Sequence, residues 1–272
     1  MIRASSGARR YVDITGSPLG VAGLLLFCFL ALPIVFLYRE TSSGAIQTTL
    51  GDPQTQSALF TSLETASVST GIVALLGVPL AYLLARFRFP GKTIVSTFVF
   101  LPLVLPPVSA GILLLVLYGP YGSIGALLAP HGLTIVDSLA GIVLAQCFVS
   151  APFCIVASRS AFESVDIEYE EAAASMGASL WQTFWHVALP MARGGIVAGL
   201  VLSWMRALGE FGATVILAYH PYSLPVLNYV NLSSTGLREA LPLALLALVL
   251  AAVVLLTLYL LERVGWAVRL TR

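Results

Sequence analysis

Residues 169–190 have the sequence YEEAAASMGASLWQTFWHVALP, in which acidic residues are followed by a glycine, several aromatic residues and a proline. The rest of the chain is mostly apolar, since 58% of its 272 residues are hydrophobic and only 10% are charged. An average soluble domain has about 25% charged residues, so this composition indicates a protein that lies largely in lipid. The stretch at 169–190 is therefore expected to lie outside the hydrocarbon.

The order of residues in this stretch predicts two short helices joined by one turn, within a hairpin at residues 163–190. Acidic residues at the start of the first helix suit the positive end of its dipole. Gly177 suits the left-handed position that ends a helix, and Ser179 with Gln182 forms the capping-box pattern that begins the next one. Pro190 is expected to end this second helix. One interpretation is an amphipathic hairpin whose tryptophans rest at the lipid headgroups.

The hairpin is flanked by apolar segments, each about as long as the 20 residues that a bilayer core requires. Six such segments are predicted, at residues 19–38, 59–84, 93–117, 139–157, 192–218 and 241–261. The first has no small-residue cleavage site, so we expect it to be retained as a membrane span. The predicted fold class is therefore an all-α integral membrane protein with six transmembrane helices.

Basic residues are distributed unevenly over the loops, which predicts the orientation of the chain in the membrane. The opposite side from the hairpin carries Arg39 and Arg238. The side that contains the hairpin carries Arg3, Arg9, Arg10, Arg86, Arg88, Lys92, Arg159, Arg193, Arg263, Arg269 and Arg272. The positive-inside rule therefore predicts that both termini and the hairpin lie in the cytoplasm.

The sequence predicts neither an ATP site nor a metal site. The tripeptide GKT at 91–93 matches the end of a phosphate-binding loop, but the required upstream glycine position holds Arg86. His131, His186 and His220 have no further His, Cys or carboxylate at ligand spacing. We expect no cofactor, metal or nucleic acid to bind this chain, and we expect it not to be an enzyme.

The hairpin resembles the cytoplasmic signature of the permease subunits of ABC importers. EAA at 171–173, Gly177 after three more residues, and VALP at 187–190 after nine more follow the signature of that family. The departure is valine in place of isoleucine, which keeps the β-branched shape. The resemblance implies the type I importer fold, with cytoplasmic tails at 1–18 and 263–272, a first span at 19–38 and a five-helix permease core at 58–262.

In that family the hairpin is a coupling helix that inserts into a groove on a separate ATP-hydrolysing subunit, with aromatic residues as its anchors. The resemblance implies two such ATPase subunits, which bind ATP and Mg, a second permease copy as a homodimer partner, an extracytoplasmic binding protein and the surrounding membrane lipid. The residues implied in coupling to the ATPase are Glu170, Glu171, Ala172, Ala173, Gly177, Trp181, Phe184, Leu189 and Pro190.

Charged residues and prolines within the predicted spans are candidates for the permeation path or its gate. Arg206 and Glu210 lie four residues apart, so they are expected to share a helix face and to pair. Charges inside a span are costly and commonly face a watery path; a closed pair that only fixes helix packing is the alternative. A purely structural kink is the alternative for the prolines. The flanking glycines and helix-breaking prolines in the candidate set are Gly209, Gly212, Pro106 and Pro107.

Three stretches, LPLVLPP at 101–107, YGPYGSIGALL at 118–128 and RALGEFGAT at 206–214, resemble one branch of these importers, the permeases for molybdate, tungstate and sulfate. The resemblance implies import of a tetrahedral oxyanion across a bacterial or archaeal plasma membrane. Molybdate or tungstate is the first expectation, and sulfate, thiosulfate or another small anion is the alternative. Arg206 would offset the charge of the anion, while Glu210 would hold Arg206 or repel the anion from a closed gate.

Two hypotheses of other classes compete with this one. A secondary transporter driven by an ion gradient would use Glu210 as a proton relay, but the two halves of the sequence show no repeat of the kind that such transporters often contain. An intramembrane enzyme is the other alternative, and the sequence has no GxSxG motif to support it.

Overall fold

The computed structural model of the chain describes residues 18–270, with side chains described as far as Thr257. The regular elements in this range are helices. The first six are α1 (Pro18–Glu40), α2 (Ser43–Gly51), α3 (Pro53–Arg86), α4 (Lys92–Val104), α5 (Pro107–Tyr118) and α6 (Ser123–Leu128). The others are α7 (Leu139–Glu163), α8 (Glu168–Ser175), α9 (Leu180–Thr183), α10 (Leu189–Leu208), α11 (Thr214–Leu217), α12 (Leu224–Ser234) and α13 (Leu237–Leu270).

Within residues 18–270, six helical segments are long and apolar enough to cross a membrane. They are Pro18–Glu40, Pro53–Arg86, Pro107–His131, Leu139–Glu163, Leu180–Leu208 and Leu237–Thr257. The prediction of an all-α protein with six membrane helices is therefore confirmed. Of the predicted tails, residues 1–17 and 271–272 lie outside the described residues, as do the side chains of Arg263 and Arg269.

The third predicted span, residues 93–117, is divided into two helices. α4 ends at Val104 and α5 begins at Pro107, with Leu105 and Pro106 in extended conformation between them. Neither proline can donate an amide hydrogen. Consecutive prolines therefore end one helix and occupy the cap and the first position of the next, where no intrahelical donor is needed.

The fifth span begins and ends earlier than the predicted residues 192–218, because one helical segment runs through Leu180–Leu208. The second helix of the hairpin thus continues into the membrane, and the prediction that Pro190 ends it is wrong. A π-helical stretch, Phe184–Ala188, comes just before this proline. Its wider turn shifts the pattern of carbonyl acceptors, and we attribute the tolerance of a residue without an amide hydrogen to that shift.

α3, α7 and α10 form the centre of the bundle, where small residues allow close approach of the backbones. A Cβ atom added to Gly199 of α10 would lie 2.9 Å from the Cβ of Ala157 and 3.1 Å from the carbonyl oxygen of Cys154, both on α7. One turn further along α10, the hydroxyl of Ser203 donates to the carbonyl of Ser150 at 3.1 Å. The contact between α7 and α10 therefore has no room for a larger residue at position 199.

The bundle has two ends that differ in structure. At one end, the C-terminus of α3 meets residues 163–179, and we call this the hairpin end. At the other, the amide of Asp137 donates to the carbonyl of Leu217 at 3.3 Å, and its carboxylate accepts from the amide of His220 at 3.2 Å. We call this the opposite end.

Replacing Gly199 with valine is expected to force α7 and α10 apart and to lower the free energy of unfolding by about 1–3 kcal/mol, the usual cost of overpacking. Gly194 lies on the same helix with nothing within 4 Å of an added Cβ, so Gly194→Val is the matched control for the change in helix propensity. The thermal midpoints of the two purified variants in detergent measure the difference. Equal midpoints would contradict the close packing at Gly199.

Candidate functional site

The first helix of the hairpin, α8, has one buried face and one exposed face. Glu170 and Ala173 are buried against the bundle, whereas Glu171 and Ala172 are exposed. The helix ends with Gly177 at φ +87°, a conformation that favours glycine, so the predicted turn residue is confirmed. The exposed part of the EAA signature is thus Glu171 and Ala172, and its third residue packs inward.

The second helix of the hairpin begins with the capping box that the sequence predicts. The hydroxyl of Ser179 accepts from the amide of Gln182 at 3.3 Å, and the side chain of Gln182 accepts from the amide of Ser179 at 2.8 Å. Trp181 is 65% exposed, while Phe184 is buried. Beyond the π-helical stretch, Leu189 is half-buried and Pro190 is exposed.

Glu170 lies in a buried network that ties α8 to α3. Its Oε1 accepts from Nε of Arg86 at 2.7 Å, and its Oε2 accepts from the hydroxyl of Tyr82 at 2.7 Å. Nη2 of Arg86 also donates to the carbonyl of Val165 at 2.8 Å. The side chains of Arg86 and Glu170 are only 9% and 10% exposed. We call Tyr82, Arg86 and Glu170 the hairpin anchor.

Aromatic rings surround the anchor and connect it to the rest of the hairpin. The ring of Tyr82 lies 5.2 Å from that of Phe162 at the end of α7 and 5.0 Å from that of Phe184 in the π-helical stretch. Aromatic pairs at these separations contribute about 0.5–1.5 kcal/mol beyond the area that they bury. The end of α3 is therefore packed against α7 and against both helices of the hairpin.

Tyr82 was not predicted from the sequence, and Arg86 was interpreted only as one of the basic residues on the predicted cytoplasmic side. The position of Glu170 also differs from what its inclusion among the coupling residues suggests, because its carboxylate is bonded within the chain. One sequence signal was available: Tyr82 and Arg86 are four residues apart, so they share a helix face in the last turns of α3. Which acidic residue of the hairpin they would meet depends on tertiary packing.

Arg206 and Glu210 form an ion pair at the end of α10, as their spacing predicts. Nη1 of Arg206 lies 2.6 Å from Oε2 of Glu210, with no aligned hydrogen bond at that oxygen, and Oε1 accepts from the amide of Ala213 at 2.7 Å. The helix itself ends at Leu208, with Gly209 as its cap. Glu210 lies beyond the helix, in an irregular bend at residues 209–213, and is 1% exposed.

This bend packs against the break between α4 and α5. A Cβ atom added to Gly212 would lie 2.5 Å from the Cβ of Pro107, and one added to Gly111 would lie 2.9 Å from the Cα of Ala213. Pro106 and Pro107, which form this break, are nevertheless exposed. The structure thus brings the predicted permeation residues of the third and fifth spans together as one cluster.

Among the side chains that the structure describes, residues 18–257, no group of three or more His, Cys, Asp or Glu is placed to hold a metal ion. An apolar groove of about 330 Å³ lies beside the exposed Trp181 of the hairpin. Its lining residues are Pro79, Tyr82, Leu83, Leu180, Trp181 and Phe184.

The sequence is similar to named membrane permeases over most of its length. It is 41% identical to the probable molybdenum ABC transporter permease protein of Haloferax volcanii, over 97% of both chains. It is 39% identical to the molybdate/tungstate transport system permease protein WtpB of Thermococcus kodakarensis, over 82% of this chain and 86% of the relative. With the sulfate transport system permease protein CysW of Synechococcus elongatus, identity is 35% over 85% of this chain and 76% of the relative.

The fold is also similar to that of solved importers. A chain from the crystal structure of a bacterial alginate ABC transporter, in complex with an alginate pentasaccharide-bound periplasmic protein, superposes with a TM-score of 0.72 at 21% identity, over 92% of this chain and 96% of that chain. The family described as binding-protein-dependent transport system inner membrane component matches residues 77–267. More than half of the chain lies in this match, and the chain therefore belongs to the family of binding-protein-dependent transport system inner membrane components.

Proposed function

We propose that this chain is the permease subunit of an ATP-driven importer for a tetrahedral oxyanion, with molybdate or tungstate as its cargo. One observation carries the choice of cargo, namely the similarity to a molybdenum permease at 41% identity over 97% of both chains. Identity to a sulfate permease is lower, at 35%. Sulfate or thiosulfate is therefore the second candidate for the cargo.

The hairpin is the part of the chain that would dock on a separate ATP-hydrolysing subunit. Glu171 and Ala172 present an exposed face on α8, while the opposite face of the helix is buried. Trp181, which lines the apolar groove, is 65% exposed and Trp185 is 46% exposed, and the centroids of their rings lie 5.5 Å apart. Exposed, packed aromatic residues of this kind dominate the energetics of protein interfaces. ATP and Mg would be bound by the partner.

Charge distribution supports a cytoplasmic position for the hairpin in a plasma membrane of a bacterium or an archaeon. Arg39 and Arg238 lie towards the opposite end. The described basic residues at or near the hairpin end are Arg86, Arg88, Lys92, Arg159 and Arg193. An excess of basic residues marks the cytoplasmic side of membrane proteins. The opposite end would then receive cargo from an extracytoplasmic binding protein.

The charged bend at the end of α10 is the proposed contact with the oxyanion. The side chain of Arg206 is 27% exposed, whereas its partner Glu210 is 1% exposed, so the cation faces open space and the carboxylate faces protein. A partly exposed guanidinium suits a tetrahedral oxyanion because it donates two parallel hydrogen bonds. A second copy of the chain would supply the other wall of the path.

The proposed cycle needs two copies of the chain and two ATPase subunits. ATP binding would bring the ATPase subunits together and move the two docked hairpins towards each other, which opens the path to the outside. Hydrolysis would release them and reopen the path to the cytoplasm. The ATPase supplies the chemistry, and this chain contributes the docking surface, the path and the connection between them.

The cargo is tested by uptake of radiolabelled molybdate into vesicles that hold this chain and its co-purifying ATPase. We expect ATP-dependent uptake that excess unlabelled tungstate suppresses strongly and excess sulfate suppresses weakly. Equal suppression by sulfate would transfer the assignment to the second candidate. Uptake that persists after removal of the ATPase would instead support an ion-driven secondary transporter.

Changes confined to the exposed face of the hairpin are expected to weaken ATPase binding without disturbing the bundle. For Glu171→Arg with Ala172→Asp we expect at least a tenfold weaker association, which corresponds to about 1.4 kcal/mol, and a parallel loss of uptake. Gly177→Pro should act similarly, because proline cannot adopt the φ of +87° found there. Normal cargo-stimulated ATP hydrolysis in these variants would refute docking at this face.

Neutralising Arg206 is expected to abolish oxyanion uptake. Because Arg206→Gln alone leaves Glu210 buried without its ion-pair partner, that effect is expected to lower the free energy of unfolding by about 3–5 kcal/mol. The double change Arg206→Gln with Glu210→Gln removes both charges and so separates the two causes. We expect the double variant to insert normally and still fail to take up molybdate. Recovered uptake would show that the ion pair only fixes helix packing and does not contact the anion.

A further inference from the structure

The hairpin anchor, formed by Tyr82, Arg86 and Glu170, has no role in the function proposed above. Coupling requires that a force applied to the hairpin reach the membrane helices. An exposed docking face alone does not provide this, since a short helix between two loops can tilt independently of the bundle. α8 is joined to α7 by residues 164–167 and to α9 by residues 176–179, so its orientation depends on side-chain contacts.

Arg86 makes two of the contacts that determine this orientation. Its guanidinium donates to Glu170 on α8 and to the carbonyl of Val165 in the preceding loop, at 2.7 and 2.8 Å. Arg86 is itself the last residue of α3. One planar group with donors on several nitrogens therefore connects the end of a membrane helix to two positions of the hairpin segment.

Burial makes this connection rigid. Both side chains of the ion pair are about nine-tenths buried, and both carboxylate oxygens of Glu170 are occupied by donors, one of them the hydroxyl of Tyr82. A buried carboxylate that lost its partner would keep its desolvation cost without compensation. Tilting α8 away from α3 is therefore strongly disfavoured, which is not so for an exposed ion pair.

We propose that Arg86 and Tyr82 are positioning residues that fix α8 to α3 through Glu170, so that displacement of the docked hairpin moves α3 with it. The proposal rests on the proposed function, because it assumes that an ATPase docks on the hairpin. It assigns Glu170 and Glu171 different tasks. Glu171 faces the partner, and Glu170 faces the membrane helix.

The chain contains a matched control pair at the same end. Nε of Arg159 lies 2.7 Å from Oε1 of Glu163, the same distance as in the anchor, but these side chains are 30% and 46% exposed and both belong to α7. Arg159→Gln therefore removes an equal charge from the hairpin end without touching the connection between α3 and α8.

The test compares Arg86→Gln, Tyr82→Phe and Arg159→Gln in the reconstituted complex with the ATPase. The measured quantities are ATPase bound, ATP hydrolysed and molybdate ions transported per ATP. We expect Arg86→Gln to keep the ATPase bound and hydrolysing while the transport ratio falls about tenfold, within the range for changes that alter coupling between sites. Tyr82→Phe, which keeps the ring packing, should lower the ratio about fivefold, as expected for loss of one hydrogen bond. Arg159→Gln should leave the ratio unchanged.

A wild-type transport ratio in both Arg86→Gln and Tyr82→Phe would overturn the proposal, as would loss of ATPase binding in step with loss of transport. Should Arg86→Gln fail to insert, Tyr82→Phe and Glu170→Gln decide. Hydrogen–deuterium exchange of residues 168–175 measures how firmly the anchor holds α8 and needs no cargo. The exchange rate should rise in Arg86→Gln but not in Arg159→Gln. Absence of molybdate uptake in the wild type would therefore refute the cargo alone, while unchanged exchange in Arg86→Gln would refute the anchor alone.

Discussion

A peptide group without a hydrogen-bond partner in hydrocarbon costs several kcal/mol, so irregular backbone at membrane depth must be buried in protein or line a watery cavity. This constraint accounts for where the chain leaves helical geometry. The break before Pro107 and the bend at 209–213 lie against each other, in contact through Gly212 and Gly111. Within the bend, the carboxylate of Glu210 accepts from the amide of Ala213 and so replaces a missing backbone acceptor.

Charged groups at the hairpin end obey a similar rule, because a charge that is buried needs a partner. Glu170 is buried, and its two oxygens accept from Tyr82 and Arg86, whereas the side chains of the Arg159–Glu163 ion pair are 30% and 46% exposed. Exposed pairs contribute about 0–1 kcal/mol, but a buried pair becomes strongly unfavourable when one partner is removed. The orientation of α8 therefore depends on the buried hairpin anchor. A count of charged residues would not distinguish its ion pair from the pair between Arg159 and Glu163.

What the sequence predicted well was local. The number of spans follows from the length and apolarity of the segments. The turn at Gly177 follows from the ability of glycine to adopt a positive φ, and the capping box follows from the spacing of three residues between Ser179 and Gln182. The end of the fifth span and the continuation through Pro190 were missed, because a π-helical turn and a tertiary contact decide them. Arg86 and its partner Glu170 are 84 residues apart in the sequence, and no local sequence pattern predicts a contact over such a separation.

The helical segment Leu180–Leu208 connects the two candidate sites, since it begins in the hairpin and ends at the charged bend. At a rise of about 1.5 Å per residue it covers roughly 40 Å, enough to cross the hydrocarbon core. Its first turns carry exposed tryptophans, and its C-terminal turn carries Arg206. A π-helical stretch such as Phe184–Ala188 is a place where a helix bends. A partner that moved the hairpin would therefore act on the bundle along two proposed routes, one through the anchor on α3 and one through a bendable helix that leads to the charged bend.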